Sequence, residues 1–120
     1  MREHKYRAWH KEAKTMIYEK RPGEVFQWKS EGQPVIIMES TALQDARGVE
    51  IYEGDIVSVH LDLLFGEVEK RAVVEWCDLF KAWCLNFMSD GCGLMLTNDQ
   101  VLEDTIQVIG HIWEKKYAHL

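Results

Sequence analysis

From Val57 to Phe65 every odd-numbered residue is apolar, and the even-numbered ones are polar as far as Asp62. Val57, Val59, Leu61, Leu63 and Phe65 are apolar, and Ser58, His60 and Asp62 between them are polar. In an extended chain successive side chains point to opposite faces, so this pattern places one apolar row on one side. A helix would scatter the same residues around its circumference. The segment therefore reads as a half-buried β-strand, bounded by turn signals at Glu53-Gly54-Asp55 and Gly66-Glu67. Weaker copies follow. Val68, Ala72, Val74 and Trp76 alternate with Glu69, Arg71 and Glu75. Trp83, Leu85 and Phe87 alternate with Ala82, Cys84 and Asn86. Val35 to Met38 is a β-branched run, Leu94 to Leu96 a short one, and Ile106 to Trp113 a closing strand. Gly110 inside that last strand predicts a bulge or a close backbone approach. Asp45-Ala46-Arg47-Gly48 is a hairpin-type turn with glycine at the left-handed position, and Ser89-Asp90-Gly91 is a further turn. Thr97 to Gln100 reads as a helix start with Asn98 as its cap. Short strands with regular turns and no long helix predict an all-β barrel or sandwich.

At the N-terminus, Tyr6, Ala8 and His10 alternate with Lys5, Arg7 and Trp9, and Met16-Ile17-Tyr18 forms a second apolar run. The pair predicts a hairpin turning through Lys11 to Thr15, although Lys11 to Ile17 also has good helix formers. Residues 19–34 carry both prolines with Gly23 and Gly32, and read as an irregular, mobile excursion with a brief strand over Val25 to Trp28. At 120 residues, 47% of them apolar, the chain suffices for a single domain over residues 1–120.

Several functions are disfavoured. No apolar run approaches a membrane span, and the charged N-terminus lacks a secretory signal, so the cytoplasm is the expected location. The three cysteines, Cys77, Cys84 and Cys92, suit free thiols better than a disulfide framework or zinc site. No cofactor or metal is predicted. Net charge is −6, which disfavours nucleic acid as a partner. The charge is uneven, with seven Lys/Arg against three Asp/Glu in residues 1–21. Gly91-Cys92-Gly93 lacks the lysine and helix of a phosphate loop. No serine sits in a nucleophile elbow, and Glu53 and Asp55 flank a glycine turn. The expectation is that the chain is not an enzyme.

Lys5-Tyr6-Arg7-Ala8-Trp9 followed by Lys14 to Tyr18, the block from Thr41 to Val57, and the tail Val108 to Glu114 together resemble the YopX family of phage and prophage proteins. The resemblance implies a mainly β domain with a small SH3-like barrel core, here with an additional N-terminal hairpin and the 19–34 excursion. The family's molecular function is uncharacterised. Ala42 stands where the family usually has glycine, which predicts a backbone with no need of positive φ there. His10 replaces a commonly acidic residue.

Five tryptophans are many for this length. Trp76 and Trp83 are expected inside, and Trp28 exposed. The leading reading is a non-enzymatic module for an unidentified protein partner, with Phe26, Trp28, Arg7 and Trp9 as its candidate interaction surface. Gly48, Gly54 and Asp55 are read as turn-fixing. A nucleic-acid-associated barrel is the alternative, contacting phosphates through Arg2, Lys5, Arg7, Lys11 and Lys14. A hydrolase-type enzyme using Asp55, Glu53 or His60 is the third reading. Exposed strand edges make a homo-oligomer a further expectation.

Overall fold

A computed structural model describes residues 5–64, 66–87, 91–96 and 106–117. Among the described residues the protein is all-β apart from one short α-helix and a single 3-10 turn at Lys115–Tyr117. The first sheet has the order β2-β1-β3-β4, built from β1 (Tyr6–His10), β2 (Thr15–Tyr18), β3 (Val35–Gln44) and β4 (Glu50–Tyr52). The second has the order β8-β7-β6-β5-β9, built from β5 (Asp55–Leu63), β6 (Gly66–Cys77), β7 (Ala82–Phe87), β8 (Gly91–Met95) and β9 (Ile106–His111). This second sheet curls into a half-barrel.

The alternating strand has its predicted polarity as far as its side chains are described. Val57 and Val59 are buried in a cluster with Ala72, Val74, Leu85 and Ile106, while Ser58 and His60 are partly exposed. The side chains of Leu61, Leu63 and Phe65 lie outside the described residues. So does the helix start expected at Thr97 to Gln100. At the start of β5, Asp55, Ile56 and Val57 are all buried, so both faces of the strand are covered there. The register against β9 shifts between Ile56↔Gly110 and Val57↔Val108, leaving Ile109 as the extra residue. The bulge read from Gly110 is thus where the two strands change step.

The N-terminal hairpin forms with Ala8 opposite Ile17 and Trp9 opposite Met16. Residues 19–34 depart from the sequence reading, because a helix, α1 (Glu24–Ser30), replaces the expected strand over Val25 to Trp28. Val25 and Trp28 are three apart and share one helical face, which packs on Ala8, Val35 and Ile37. Tertiary burial of that face, rather than intrinsic propensity, holds so short a helix. It stops on a Schellman motif. Gly32 has φ 86, its N–H bonds the Lys29 carbonyl, and the Gln33 N–H bonds that of Trp28.

Two further expectations are corrected. Ala42 has φ 67, in the left-handed region, despite lacking glycine's freedom. It lies where β3 and β4 lose step between Ser40 and Gln44. The Ser40 hydroxyl accepts the Ala42 N–H, and Thr41 Oγ1 accepts the Leu43 N–H while donating to the Ile51 carbonyl. These side-chain bonds hold the irregular backbone. Trp76, expected inside, is 45% exposed. Its indole N–H donates to Asp78 and its ring meets Trp83 edge-on at 5.2 Å. Trp83 is half-buried against the core. Period two pairs the tryptophans across the strands but does not say which part of the sheet has a covering layer.

Candidate functional site

The first sheet is covered on both sides. The Ala8 face of β1 lies under α1, and the opposite face carries Arg7 and Trp9 toward β4, β5 and the tail after β9. A polar and aromatic seam results.

At one end of the seam, the Arg7 guanidinium meets Asp55 Oδ1 at 2.8 Å, with both side chains almost fully buried. Arg7 also donates to the Glu53 carbonyl at 3.1 Å and to the Tyr18 hydroxyl at 3.4 Å. It lies 4.8 Å from the centre of the Tyr52 ring, which meets Tyr18 edge-on. Arg7 Nε is buried without a partner. Asp55 Oδ2 accepts the Tyr52 N–H at 2.8 Å, closing the turn that Gly54 makes with φ 85. A Cβ at Gly54 would come within 3.1 Å of Met38 Sδ. Burial pushes the Asp55 carboxyl up to about 6, against the pull of Arg7 and the Tyr52 N–H. Burial, helped by the Glu50 carboxylate, likewise pushes the Tyr52 phenol well up.

At the other end, Trp9 stacks on Trp113 with planes 10° apart and centroids 6.1 Å apart. His111 lies 5.6 Å from Trp9 at a tilt. With Met16 these rings line an open groove of about 470 Å³, flanked by Lys14 and Lys115. Burial holds His111 below the ordinary imidazole range although Glu114, 3.7 Å away, pulls it up. Its neutral ring therefore contributes chiefly apolar surface at neutral pH.

The four residues expected to form one interaction surface do not converge. Arg7 is 2% exposed and committed to Asp55, so it is removed from any contact surface. Trp28, expected exposed, is half-buried on the face of α1 that packs against the sheet. Phe26 is 49% exposed, on the far side of the sheet from Trp9, with its ring edge-on to Tyr6. Trp9 instead gathers Met16, His111 and Trp113, which sequence reasoning missed. The only hint was the shared parity of Arg7 and Trp9, and parity does not reveal that the chain's two ends meet. His60 faces Glu67 and Glu69 at 3.8 and 4.0 Å and is not brought to Asp55. Gly48 takes φ 82 in the turn after Asp45.

The family model of the YopX protein matches residues 19–116, most of the chain. The chain belongs to the YopX family. The matched span holds Tyr52, Asp55, His111 and Trp113, while Arg7 and Trp9 precede it. This YopX domain is also similar to the crystal structure of protein EF1440 from Enterococcus faecalis. The two are 24% identical, with 97% of each chain covered and a TM-score of 0.67. At that identity the likeness speaks to fold alone. No curated protein matches the chain. Among the described residues no helix is long and apolar enough to cross a membrane.

Proposed function

We propose that this YopX-family chain is a phage- or prophage-encoded binding module of the bacterial cytoplasm. It catalyses no reaction of its own and takes a protein partner in the groove beside Trp9 and Trp113. We read the curled five-stranded sheet as its SH3-like core. The observation that carries the proposal is the Trp9–Trp113 stack opening onto a groove of about 470 Å³. Large, rigid aromatic rings lose little side-chain freedom on binding and supply much of the energy at protein interfaces. Lys14 and Lys115 outnumber the one lining carboxylate, Glu114, and favour an apolar or aromatic anchor flanked by acidic residues.

Affinity capture from host lysate tests this. A partner held by the wild type is expected to be lost from Trp113→Ala and from the charge reversal Lys14→Glu/Lys115→Glu. The second variant changes only rim residues and spares the stack. Equal capture by all three proteins, or none by the wild type, overturns the reading. Retention of a single-stranded oligonucleotide, falling steeply with salt, would transfer it to nucleic acid. Lys11 and Lys14, exposed in the β1–β2 turn, support that second reading.

A further inference from the structure

A second concavity lies where Tyr6 and Tyr52 approach the chain leading into α1. It measures about 290 Å³, and its lining includes Lys5, Lys20, Arg21 and Glu19. Three cations thus stand against one carboxylate in a chain whose net charge is −6. Glu19 is already engaged: one oxygen accepts the Tyr6 N–H at 3.2 Å and the other the Val25 N–H at 3.1 Å. Among the described residues the Lys5 ammonium makes a long contact of 3.4 Å to Glu50, with its side chain half in water, where an ion pair is weak. Among the described residues, Lys20 and Arg21 have no side-chain ion pair. Their backbone is nevertheless fixed, because both N–H groups donate to Glu24 Oε1 at 2.7 and 3.0 Å. Glu24 does not line the pocket.

The two tyrosines supply the rest. The Tyr52 ring is held from behind by the Arg7 guanidinium, and Tyr6 is braced by Phe26. Both phenols are protonated at neutral pH; the Tyr6 hydroxyl can donate to an anion, whereas the Tyr52 hydroxyl is engaged with Glu50 and its ring supplies a wall. Glu24 and Glu50 stand behind these cations and offset part of their charge, but the three cationic side chains line the pocket itself, and the guanidinium fork of Arg21 suits the oxygens of a phosphate monoester. The volume is at the small end for ligand pockets, enough for one phosphate and a compact organic group against the rings.

We propose that the pocket formed by Lys5, Lys20, Arg21, Tyr6 and Tyr52 is a binding site for a phosphate monoester. It is separate from the Trp9–Trp113 groove, so either site can fail its test without the other. The probe is phenyl phosphate, titrated into the full-length protein by calorimetry, with phenol and inorganic phosphate as controls. Expected are a Kd of ~1 mM or tighter that rises with salt, weaker binding of inorganic phosphate, and no binding of phenol. Lys20→Ala/Arg21→Ala, which alters two exposed side chains, is expected to weaken binding at least ~10-fold. A short phosphotyrosine peptide distinguishes the sources. Tighter binding than phenyl phosphate assigns the ester to a modified protein side chain, and equal or weaker binding assigns it to a free metabolite. No heat with phenyl phosphate up to ~10 mM, an affinity unchanged in the double variant, or equal binding of phenol would each overturn the proposal.

Discussion

Asp45 and Asp55 lie ten residues apart in the central block, both buried and both at turns, yet their surroundings treat their charge in opposite ways. Asp45 Oδ1 accepts the N–H groups of Arg47 and Val49, and Oδ2 accepts that of Val108 from the other end of the chain, all at 2.9 Å. Burial pushes its carboxyl up, but the three N–H bonds, with a smaller contribution from the exposed Arg47 guanidinium 3.6 Å away, outweigh that and hold it below the ordinary range. Asp55 has one backbone N–H, from Tyr52, and the Arg7 guanidinium, and there burial prevails. The comparison separates two ways of burying a carboxylate. Backbone dipoles are fixed by the fold and carry no net charge that must itself be dried. An arginine partner brings its own desolvation cost, and Arg7 is left with one buried N–H unsatisfied.

The largest effect is expected from Arg7→Met, which leaves Asp55 buried and unpaired. It should lower stability by about 3–5 kcal/mol at pH 8, read as a shifted urea midpoint. Without Arg7 the Asp55 pKa rises above its wild-type value of about 6, so the loss should shrink as pH falls from 8 toward 6 and level off below that, and Arg7→Met/Asp55→Asn should regain part of it. Full additivity of the two changes would show that the pair is not coupled.

Next is Asp45→Ala, which strands three backbone N–H groups. A loss on the order of 3 kcal/mol is expected, with faster hydrogen exchange at Val108. Unchanged exchange there would mean that the carboxylate does not fasten β9 to the turn.

The pH dependence should have opposite sign at the two sites. The Asp55 pKa is raised, so its contribution is fully present below about pH 4 and is lost as the pH climbs through about 6. That loss is roughly 2–3 kcal/mol. The Asp45 pKa is lowered, so its contribution is present above the ordinary carboxylate range and is lost as pH falls through its folded value. Unfolding of wild type, Asp55→Asn and Asp45→Asn between pH 3 and 8 would expose the two slopes. Parallel profiles would erase the distinction.

The smallest change is a gain. Ala42→Gly relieves the positive φ in β3, just before the Asp45 turn, and should stabilise by about 0.5–1 kcal/mol after glycine's entropy cost. A loss of stability would show that the methyl group contributes packing that outweighs the strain.

Much of the fold was legible because it is local. The period of two along β5 to β7, the polar turn between β1 and β2, and the glycines at 48, 54 and 110 each act over a few residues. The helix α1 was missed because its apolar pair Val25/Trp28 is too short to show a period. It is held by a sheet face assembled from β1 and β3. The candidate site was less legible still. Arg7, Phe26 and Trp28 carried the right residue types for an interface, but layers on opposite sides of one sheet took up Arg7 and Trp28 and left Phe26 exposed away from Trp9.

The sequence by itself determined the strands, the turns and which side chains share a face, because alternation and turn chemistry are properties of a short stretch of backbone. Only the tertiary structure decided which faces are covered. It placed Arg7 against Asp55, Trp9 against Trp113, and Trp76 in water. Burial depends on which distant segment arrives to exclude solvent, and no local pattern encodes that arrival.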